Sequence, residues 1–299
     1  MAEVPLRVQV RAPAKINLTL HVTGQRADGY HLLDSLVVFA DVGDRLELTT
    51  GAPLSLNISG PEGGGLHARG DNLVLRAAAL LPDAPTGTFR LEKNLPVSSG
   101  IGGGSADAAA AVRAMLASQA EDAVPTDLAD HLLALGADIP VCLSSSPSRM
   151  RGVGEHLAPV PDMPVLHAVL VNPRVALSTP AVFKALENRK NPPMQEPLPA
   201  FTTTNHLIAW LRDQRNDLQA PAVSLAPVID DVLDSLRATQ GCLLARMSGS
   251  GATCFGLFDN AAQAKSAAAW LADLQPDWWV TATQLGDMQA LCQPRVETL

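Results

Sequence analysis

The sequence predicts an α+β fold in two domains, and three observations lead to this prediction. The chain has 299 residues, enough for two domains of ordinary size. Hydrophobic residues make up 47% and charged residues 17%, which is typical of a globular protein and not of a disordered one. Both halves mix strand-like and helix-like segments, which favours α+β over a doubly wound parallel sheet. The Pro- and Gly-rich stretch 144–164 suggests a boundary, so we expect domains at 1–157 and 158–299.

The charge balance excludes some classes of partner. Thirty acidic and 22 basic residues give a net charge of -8, which argues against binding to nucleic acid or an anionic membrane.

The sequence has no secretory signal pattern and no run of about 18 apolar residues. Its four cysteines lack the close spacing of a zinc site. We therefore expect a cytoplasmic protein with reduced thiols.

Alternating apolar residues predict strands in the first 60 residues, over residues 6–10, 16–22, 37–39 and 46–48. Around the second of these, Lys15 and Asn17 share one face, and the apolar Ile16 and Leu18 share the other. Lys15 either faces solvent, or pairs with a buried acid or reaches a phosphate. The pattern leaves both alternatives open.

Helix signals follow further along the chain. Asp71-Asn72 precedes an apolar stretch to Leu81, which predicts a capped helix halted by Pro82. A strand is predicted at Thr88–Glu92. The strongest helix signal runs from Ser105, at an N-cap position, to Ala117. Another predicted helix runs from residue 126 to 135 and stops at a glycine.

The C-terminal half begins with an apolar strand at residues 165–171. A Pro-rich loop is expected at 191–199. Beyond it we predict helices near 225–239 and 261–274, and strands near 243–247, 253–258 and 278–283.

The segment Pro96–Ser105 holds four glycines in five residues and leads directly into the predicted helix. Such a loop can turn successive N–H groups towards one point, and a helix N-terminus adds its own free N–H groups and positive dipole end. The natural ligand is a phosphate. The loop lacks the Gly-Lys-Ser/Thr ending of a Walker A motif and the third glycine of a Rossmann fingerprint. The alternative is a flexible turn that caps the helix.

Two other segments are chemically suggestive. Asp138 is a lone carboxylate in an apolar run, so it either caps a turn or serves as a general base or charge anchor. The turn Met247–Thr253 consists mostly of small residues, which lets another backbone or a phosphate come close. The histidines show no metal-binding spacing, and we assign no metal ligand to the chain.

In this order, the segments at 13–18, 96–109 and 249–252 resemble the three motifs of the galactokinase, homoserine, mevalonate and phosphomevalonate (GHMP) kinase superfamily. The run Thr23–His31, together with Leu135–Pro140, is similar to one branch of it, which acts on diphosphocytidyl-methylerythritol in the non-mevalonate route to isoprenoids. The resemblance implies an N-terminal domain like ribosomal protein S5 domain 2, a ferredoxin-like C-terminal domain, and a cleft between them.

The resemblance also implies transfer of the γ-phosphoryl group of ATP to the 2-hydroxyl of that substrate, with ATP and Mg²⁺ as cofactors. The partner is the small-molecule substrate, and we expect a monomer or weak homodimer. Two rivals remain. One is a kinase for another small alcohol, such as mevalonate or homoserine. The other is a non-catalytic sensor that binds ATP or a metabolite.

Site residues are carried over from the family motifs to the matching positions. Lys15 and Asp138 are the expected catalytic pair, with Asp138 as proton acceptor and Lys15 orienting it. The loop residues expected to bind ATP are Pro96, Val97, Ser98, Ser99, Gly100, Ile101, Gly102, Gly103, Gly104, Ser105 and Ala106. Two more, Asn72 and Lys93, are expected to flank the adenosine. The substrate residues are expected to be Asn17, Tyr30, His31, Thr179 and Phe183, with Tyr30 and His31 packing against or hydrogen-bonding the cytosine and Phe183 as the partner ring that sandwiches it.

The sequence departs from the family pattern in places. Val37 stands where some relatives have an aromatic residue, which predicts a less aromatic cytidine pocket. Ser98-Ser99 replaces glycines that many members have. Asn216-Asp217-Leu218 matches a short family element to which the sequence assigns no role.

Overall fold

The computed structural model describes residues 4–68, 70–81, 86–121 and 125–299, and this part of the chain contains twelve β-strands and nine α-helices. The strands are β1 (Leu6–Asn17), β2 (His21–Gln25), β3 (His31–Thr49), β4 (Ser55–Ser59), β5 (Thr88–Glu92), β6 (Ser148–Gly152), β7 (His156–Pro159), β8 (Leu166–Asn172), β9 (Leu244–Met247), β10 (Cys254–Phe258), β11 (Trp279–Gly286) and β12 (Arg295–Thr298). The helices are α1 (Leu73–Ala78), α2 (Gly103–Ser118), α3 (Thr126–Leu135), α4 (Ile139–Ser144), α5 (Thr179–Lys184), α6 (Thr204–Arg212), α7 (Gln219–Leu225), α8 (Val228–Ala238) and α9 (Ala261–Leu274). Within the described chain, no helix combines the length and apolarity that crossing a bilayer requires.

All the strands belong to one mixed sheet whose main path has the order β12-β1-β3-β11-β8-β10-β9. The long strand β3 also pairs with β2, β5 and β6, so it joins the two halves of the chain. Among the described strands, only β4 and β5 pair in parallel. A largely antiparallel sheet with helices packed on it confirms the predicted α+β class.

The first strands are longer than predicted. β1 runs without interruption through Pro13 to Asn17, with a register shift between Pro13 and Lys15. It can continue because Gly43 lies opposite, where a Cβ atom would be 2.3 Å from the Ala12 carbonyl oxygen. Likewise, the two predicted segments 37–39 and 46–48 form a single strand, β3. Both predicted breaks were wrong, because a bulge can absorb a proline or a glycine within a strand.

The predicted helices exist, but α1 and α2 have different ends from those predicted. Asn72 caps α1 by accepting a hydrogen bond from the Val74 N–H (3.0 Å), but α1 ends at Ala78, and the predicted stop at Pro82 lies outside the described residues. α2 begins two residues before Ser105, which therefore is not the N-cap. Gly102 takes that position at φ 65°, a left-handed conformation that suits glycine. α3 has the predicted bounds.

The stretch 144–164 is more ordered than a linker, because β6 and β7 form a hairpin within it. The predicted helices near 225–239 and 261–274 correspond to α8 and α9, and the four predicted C-terminal strands correspond to β8, β9, β10 and β11. Residues 191–199 form a loop, as predicted. The sequence patterns missed several short elements, which are β4, β6, β7, β12 and α4 to α7.

The core consists of three clusters of buried side chains, and the arrangement of two of them positions the site. The first lies where the alanine-rich helix α2 packs against β1, β3 and α1. The third lies where α8 and α9 cover β8, β9 and β10. Val37 belongs to the first cluster and is fully buried. The Val37 side chain therefore does not line the cleft described below.

Candidate active site

A cleft with a cavity volume of about 1390 Å³ is bordered by segments from both halves of the chain. All but two of the predicted site residues line it. The exceptions are Ile101 and Ala106, whose side chains are buried in the core. Distant parts of the chain thus converge on one space, namely residues 15–33, residues 96–105, Asp138 and α5.

Lys15 and Asp138 form an ion pair in this cleft. The Lys15 Nζ atom lies 2.6 Å from Asp138 Oδ2. The lysine is only 4% exposed, whereas the aspartate side chain is 31% exposed and borders the cavity. β1 fixes the lysine backbone, whose N–H donates to the Ile101 carbonyl (2.9 Å), and the chain between α3 and α4 carries the aspartate. The structure thus favours a paired Lys15 over a solvent-facing one.

The glycine loop, which we define as residues 96–105, ends at the N-terminus of α2. Within the part of the chain that the structure describes, no side chain caps this helix. The N–H groups of Gly103, Gly104 and Ser105 have no partner one turn earlier in the helix, and all three residues border the cavity. The positive end of the helix dipole therefore faces the cleft, as phosphate binding requires.

A charged triad lies beneath the glycine loop. The Lys93 ammonium contacts Asp44 and also Asp107, at 2.7 Å. Burial opposes the charge on Lys93, but the two carboxylates outweigh it and raise its pKa. Burial raises the pKa of Asp107, with Asp44 adding to the effect and Lys93 opposing it. Asp44 also accepts hydrogen bonds from the N–H groups of Asn94 and Leu95, and so fixes the strand end that leads into the loop.

At the other end of the cleft, the rings of His31 and Phe183 stack with their centroids 4.7 Å apart and their planes at 20°. Burial lowers the pKa of His31, and the nearby Arg189 guanidinium lowers it further. Tyr30 is 65% exposed at the rim. Two of the three side chains predicted around the base therefore already face each other, and a base between them requires the rings to move apart.

Asn17 is buried at the floor of the cleft with one free acceptor. Its Nδ2 donates to Ser35 Oγ (2.8 Å), and its Oδ1 has no hydrogen-bond partner among the described residues. A Cβ placed on Gly249 would lie 3.4 Å from that Oδ1 atom. Thr179 pairs with Ser250 through their hydroxyl groups (2.7 Å), and both line the cavity.

Residues 247–251, here called the serine–glycine turn, pack directly against the glycine loop. A Cβ on Gly100 would lie 2.6 Å from the Gly251 carbonyl oxygen, and one on Gly249 would lie 2.5 Å from the Gly100 carbonyl oxygen. The prediction that small residues here permit close approach is confirmed, with the glycine loop as the neighbour. Gly249 and Ser250 were not among the predicted site residues, although the turn itself was singled out.

The cleft also contains two cations that sequence reasoning missed, Lys184 and Arg189. Lys184 directly follows Phe183 on α5, and this adjacency to a predicted substrate residue could have identified it from the sequence. Arg189 lies just before the Pro-rich loop and donates to Gln25 Oε1 (3.2 Å) on β2. Nothing in the local sequence indicated that contact.

A paired lysine and aspartate, beside a helix N-terminus that faces the same cleft, are the arrangement expected of a small-molecule kinase. In agreement, residues 72–146 match the family described as "GHMP kinases N terminal domain", and residues 198–273 match "GHMP kinases C terminal". A crystal structure of homoserine kinase from Cytophaga hutchinsonii has a similar fold, with a TM-score of 0.65 at 17% identity over 99% of this chain and 98% of that one.

Closer relatives narrow the class. A 4-diphosphocytidyl-2-C-methyl-D-erythritol kinase of Roseobacter denitrificans is 55% identical over 98% of both chains. One of Paracoccus denitrificans is 58% identical over 94% of this chain and 98% of its own. A crystal structure of 4-(cytidine 5'-diphospho)-2C-methyl-D-erythritol kinase, 33% identical, has a TM-score of 0.77 and covers 93% of this chain and 99% of its own. The chain belongs to the 4-diphosphocytidyl-2-C-methyl-D-erythritol kinase family of GHMP kinases.

Proposed function

We propose that the protein transfers the γ-phosphoryl group of ATP to the 2-hydroxyl of 4-diphosphocytidyl-2-C-methyl-D-erythritol, giving the 2-phosphate and ADP in the non-mevalonate route to isoprenoid precursors. The observation that carries this proposal is the 2.6 Å pair of Lys15 and Asp138, in the same cleft as the glycine loop and the His31–Phe183 stack. The ion pair could perform the chemistry, the glycine loop could bind phosphate, and the stacked rings could bind a base.

In this mechanism the Asp138 carboxylate accepts the proton of the substrate 2-hydroxyl. The hydroxyl oxygen forms a bond to the γ-phosphorus while the bond from that phosphorus to the β,γ-bridging oxygen breaks, and ADP leaves. Lys15 holds Asp138 by the ion pair, and its ammonium lies where it can neutralise charge that develops on the transferred group. Phosphoryl transfer depends mainly on such alignment and charge neutralisation.

The glycine loop fits the nucleotide phosphates, because its uncapped helix N-terminus offers N–H groups with no Cβ atom at Gly103 and Gly104. Magnesium also fits, since Ser105 presents a hydroxyl that makes no hydrogen bond within the described chain, at the same helix end. When bound, Mg²⁺ would neutralise phosphate charge, held mostly by nucleotide oxygens and water. We assign Lys93 to supporting the loop, because two carboxylates engage its ammonium.

For the cytidyl substrate, we assign the base to the His31–Phe183 pair, with Tyr30 at the rim. Base–aromatic stacking contributes about 1–3 kcal/mol. Asn17 Oδ1 is the free acceptor for a hydroxyl of the methylerythritol end, because its Nδ2 is held by Ser35. We assign Thr179 to the diphosphate, because it lines the cavity on the same helix as Phe183 and is hydrogen-bonded to Ser250. Asn72 borders the nucleotide end while capping α1.

The proposal also covers the domain division, the cellular compartment and the partners of the protein. The two family matches lie on either side of residues 157/158, which supports a two-domain division there. All four cysteines are free thiols, which a reducing cytoplasm would maintain. The net charge of -8 supports a protein with no nucleic-acid partner, and we expect a monomer or weak homodimer.

The test is an ADP-release assay with Mg-ATP and the cytidyl substrate, with mevalonate and homoserine in parallel. We expect turnover with the cytidyl substrate alone. Turnover with another alcohol instead would transfer the assignment to that kinase class. Absence of ADP release with every alcohol, from folded protein that still binds ATP, would favour a metabolite sensor.

A further inference from the structure

The element Asn216-Asp217-Leu218 lies against the serine–glycine turn. Asn216 is buried, and its Nδ2 donates to the carbonyl oxygens of Met247 (2.8 Å) and Gly249 (2.9 Å). Its Oδ1 accepts from the Leu218 N–H (3.0 Å). Each hydrogen-bonding group of this amide except the second lone pair of the oxygen is therefore used, and two of the bonds hold one turn.

The segment that carries Asn216 is itself fixed to the chain between β1 and β2. The Leu20 N–H donates to the Arg215 carbonyl (3.0 Å), and the Asp217 N–H donates to the Leu20 carbonyl (2.8 Å). The Asp217 carboxylate accepts from the Val22 N–H (2.7 Å). Asn216 thus projects from a backbone that is tied down on both sides of it.

The serine–glycine turn transmits this position to the reacting groups. Ser248 Oγ donates to the Gly100 carbonyl (3.2 Å) and accepts from the Asn17 N–H (3.1 Å). The Thr253 N–H donates to the Ser99 carbonyl (3.1 Å). Because Gly100 and Gly249 have no room even for a Cβ atom, a displaced turn must displace the glycine loop or Asn17.

We propose that Asn216 is a positioning residue for phosphoryl transfer, because its amide holds the serine–glycine turn and thereby sets the distance between the glycine loop and Asn17. The inference rests on the proposed function for its kinetic readout. It predicts a defect in the chemical step and in nucleotide binding, together with weaker binding of the cytidyl substrate through Asn17.

The test is Asn216→Asp. This change keeps the shape of the side chain and its acceptor for the Leu218 N–H, but it removes both donors and places a negative oxygen against two carbonyls. At a temperature where the variant is folded by circular dichroism, we expect kcat to fall about 10- to 100-fold, because small misplacements cost this much. The Kd for ATP should rise about tenfold, and KM for the cytidyl substrate should rise as well, because the turn also contacts Asn17 and Thr179.

Two controls separate positioning from stability. Asn260→Asp makes the same chemical change at an exposed N-cap of α9, where aspartate caps as well as asparagine does. Val232→Ala destabilises the buried face of α8, and Val232 itself does not line the cleft in the described structure. Both controls should keep the kcat and ATP Kd of the wild type. If Asn216→Asp does not fold, Asn216→Ser removes the same donors without adding charge and should show the same defects.

The outcomes are distinguishable. Wild-type turnover of the cytidyl substrate tests the proposed function. The ratios of kcat and of ATP Kd between variant and wild type test the role of Asn216. A folded Asn216→Asp or Asn216→Ser variant with kcat and ATP Kd within about threefold of wild type overturns the inference. A loss of activity in the Asn216 variants that only follows the fraction of unfolded protein also overturns it. If the wild type fails to phosphorylate the cytidyl substrate, the ATP Kd is the remaining readout. An ATP Kd that is unchanged in the Asn216 variants then overturns the inference.

Discussion

Replacing Asp138 by asparagine removes the proposed proton acceptor while it preserves the shape of the side chain. In the wild type, Lys15 Nζ lies 2.6 Å from the Asp138 carboxylate. In the variant, the amide oxygen can still lie near Lys15 Nζ, but the amide cannot accept the hydroxyl proton. Loss of a general base costs about 10²- to 10⁴-fold in rate, or about 3–5 kcal/mol of barrier. We therefore expect kcat to fall at least about 100-fold, with KM for ATP within about threefold, because the glycine loop is unchanged.

The same substitution leaves the buried Lys15 ammonium without its counter-ion. Removing one member of a fully buried pair costs about 3–5 kcal/mol. Because the Asp138 side chain is 31% exposed and borders the cleft, water screens the pair, and we reduce the expected cost to about 1–2 kcal/mol. The melting temperature should fall by about 2–8 °C, so the variant stays folded at assay temperature.

The assay combines steady-state ADP release with thermal melting by circular dichroism. Asp213→Asn, which makes the same change at an exposed residue after α6, is the control and should match the wild type in both measurements. A folded Asp138→Asn variant with kcat within about tenfold of the wild type would refute the role of Asp138 as base.

Three more predictions follow. Phe183→Ala should raise KM for the cytidyl substrate about tenfold or more, from the loss of stacking, and leave KM for ATP unchanged; an unchanged KM for the cytidyl substrate would place the base elsewhere. Burial lowers the pKa of His21 from 6.5 to about 4, so the unfolded chain binds the proton more readily, and stability falls as pH drops through that window. Urea denaturation should show about 2 kcal/mol lost on this account between pH 7 and pH 5, and an equal loss in His21→Gln would contradict it. Gly100→Ala adds a Cβ 2.6 Å from the Gly251 carbonyl oxygen at φ +76°, whereas Gly29→Ala adds one in open space at φ +92°. By thermal melting, Gly29→Ala should cost about 1 kcal/mol and Gly100→Ala clearly more; equal losses would mean that the two turns are not in tight contact.

Where periodicity extends over many residues, the sequence predicted the fold well. The helices α3, α8 and α9 and the strand β5 were found close to their bounds, because each carries a clear apolar pattern or cap signal. The missed elements are short. A six-residue helix such as α4 or α5 spans under two turns, too few for a 3.6-residue period to emerge. Tertiary packing, not local pattern, decides such segments.

The site divides along the same line. Lys15, Asp138 and the glycine loop could be identified because their residue types are unusual for their surroundings. Arg189 could not, since a basic residue beside a loop is ordinary and only the fold brings it to β2. The N-cap at Ser105 was mispredicted because a glycine with positive φ can begin a helix without any side-chain cap, and no pattern announces that backbone conformation.

A protein with a net charge of -8 is an unexpected host for two polyphosphate substrates, and the pairing of charges in the cleft explains how it can bind them. Each carboxylate that lines the described cavity has a basic partner within 3 Å, although Lys93 also contacts the buried Asp44. These pairs are Asp28–Arg26, Asp107–Lys93 and Asp138–Lys15. The cavity also holds Lys184 and Arg189, for which no ion pair occurs in the described structure, and the positive end of α2. Because charges beyond about 8–10 Å are largely screened at physiological salt, the local excess of positive charge decides which ligands enter, and the acidic remainder of the surface does not.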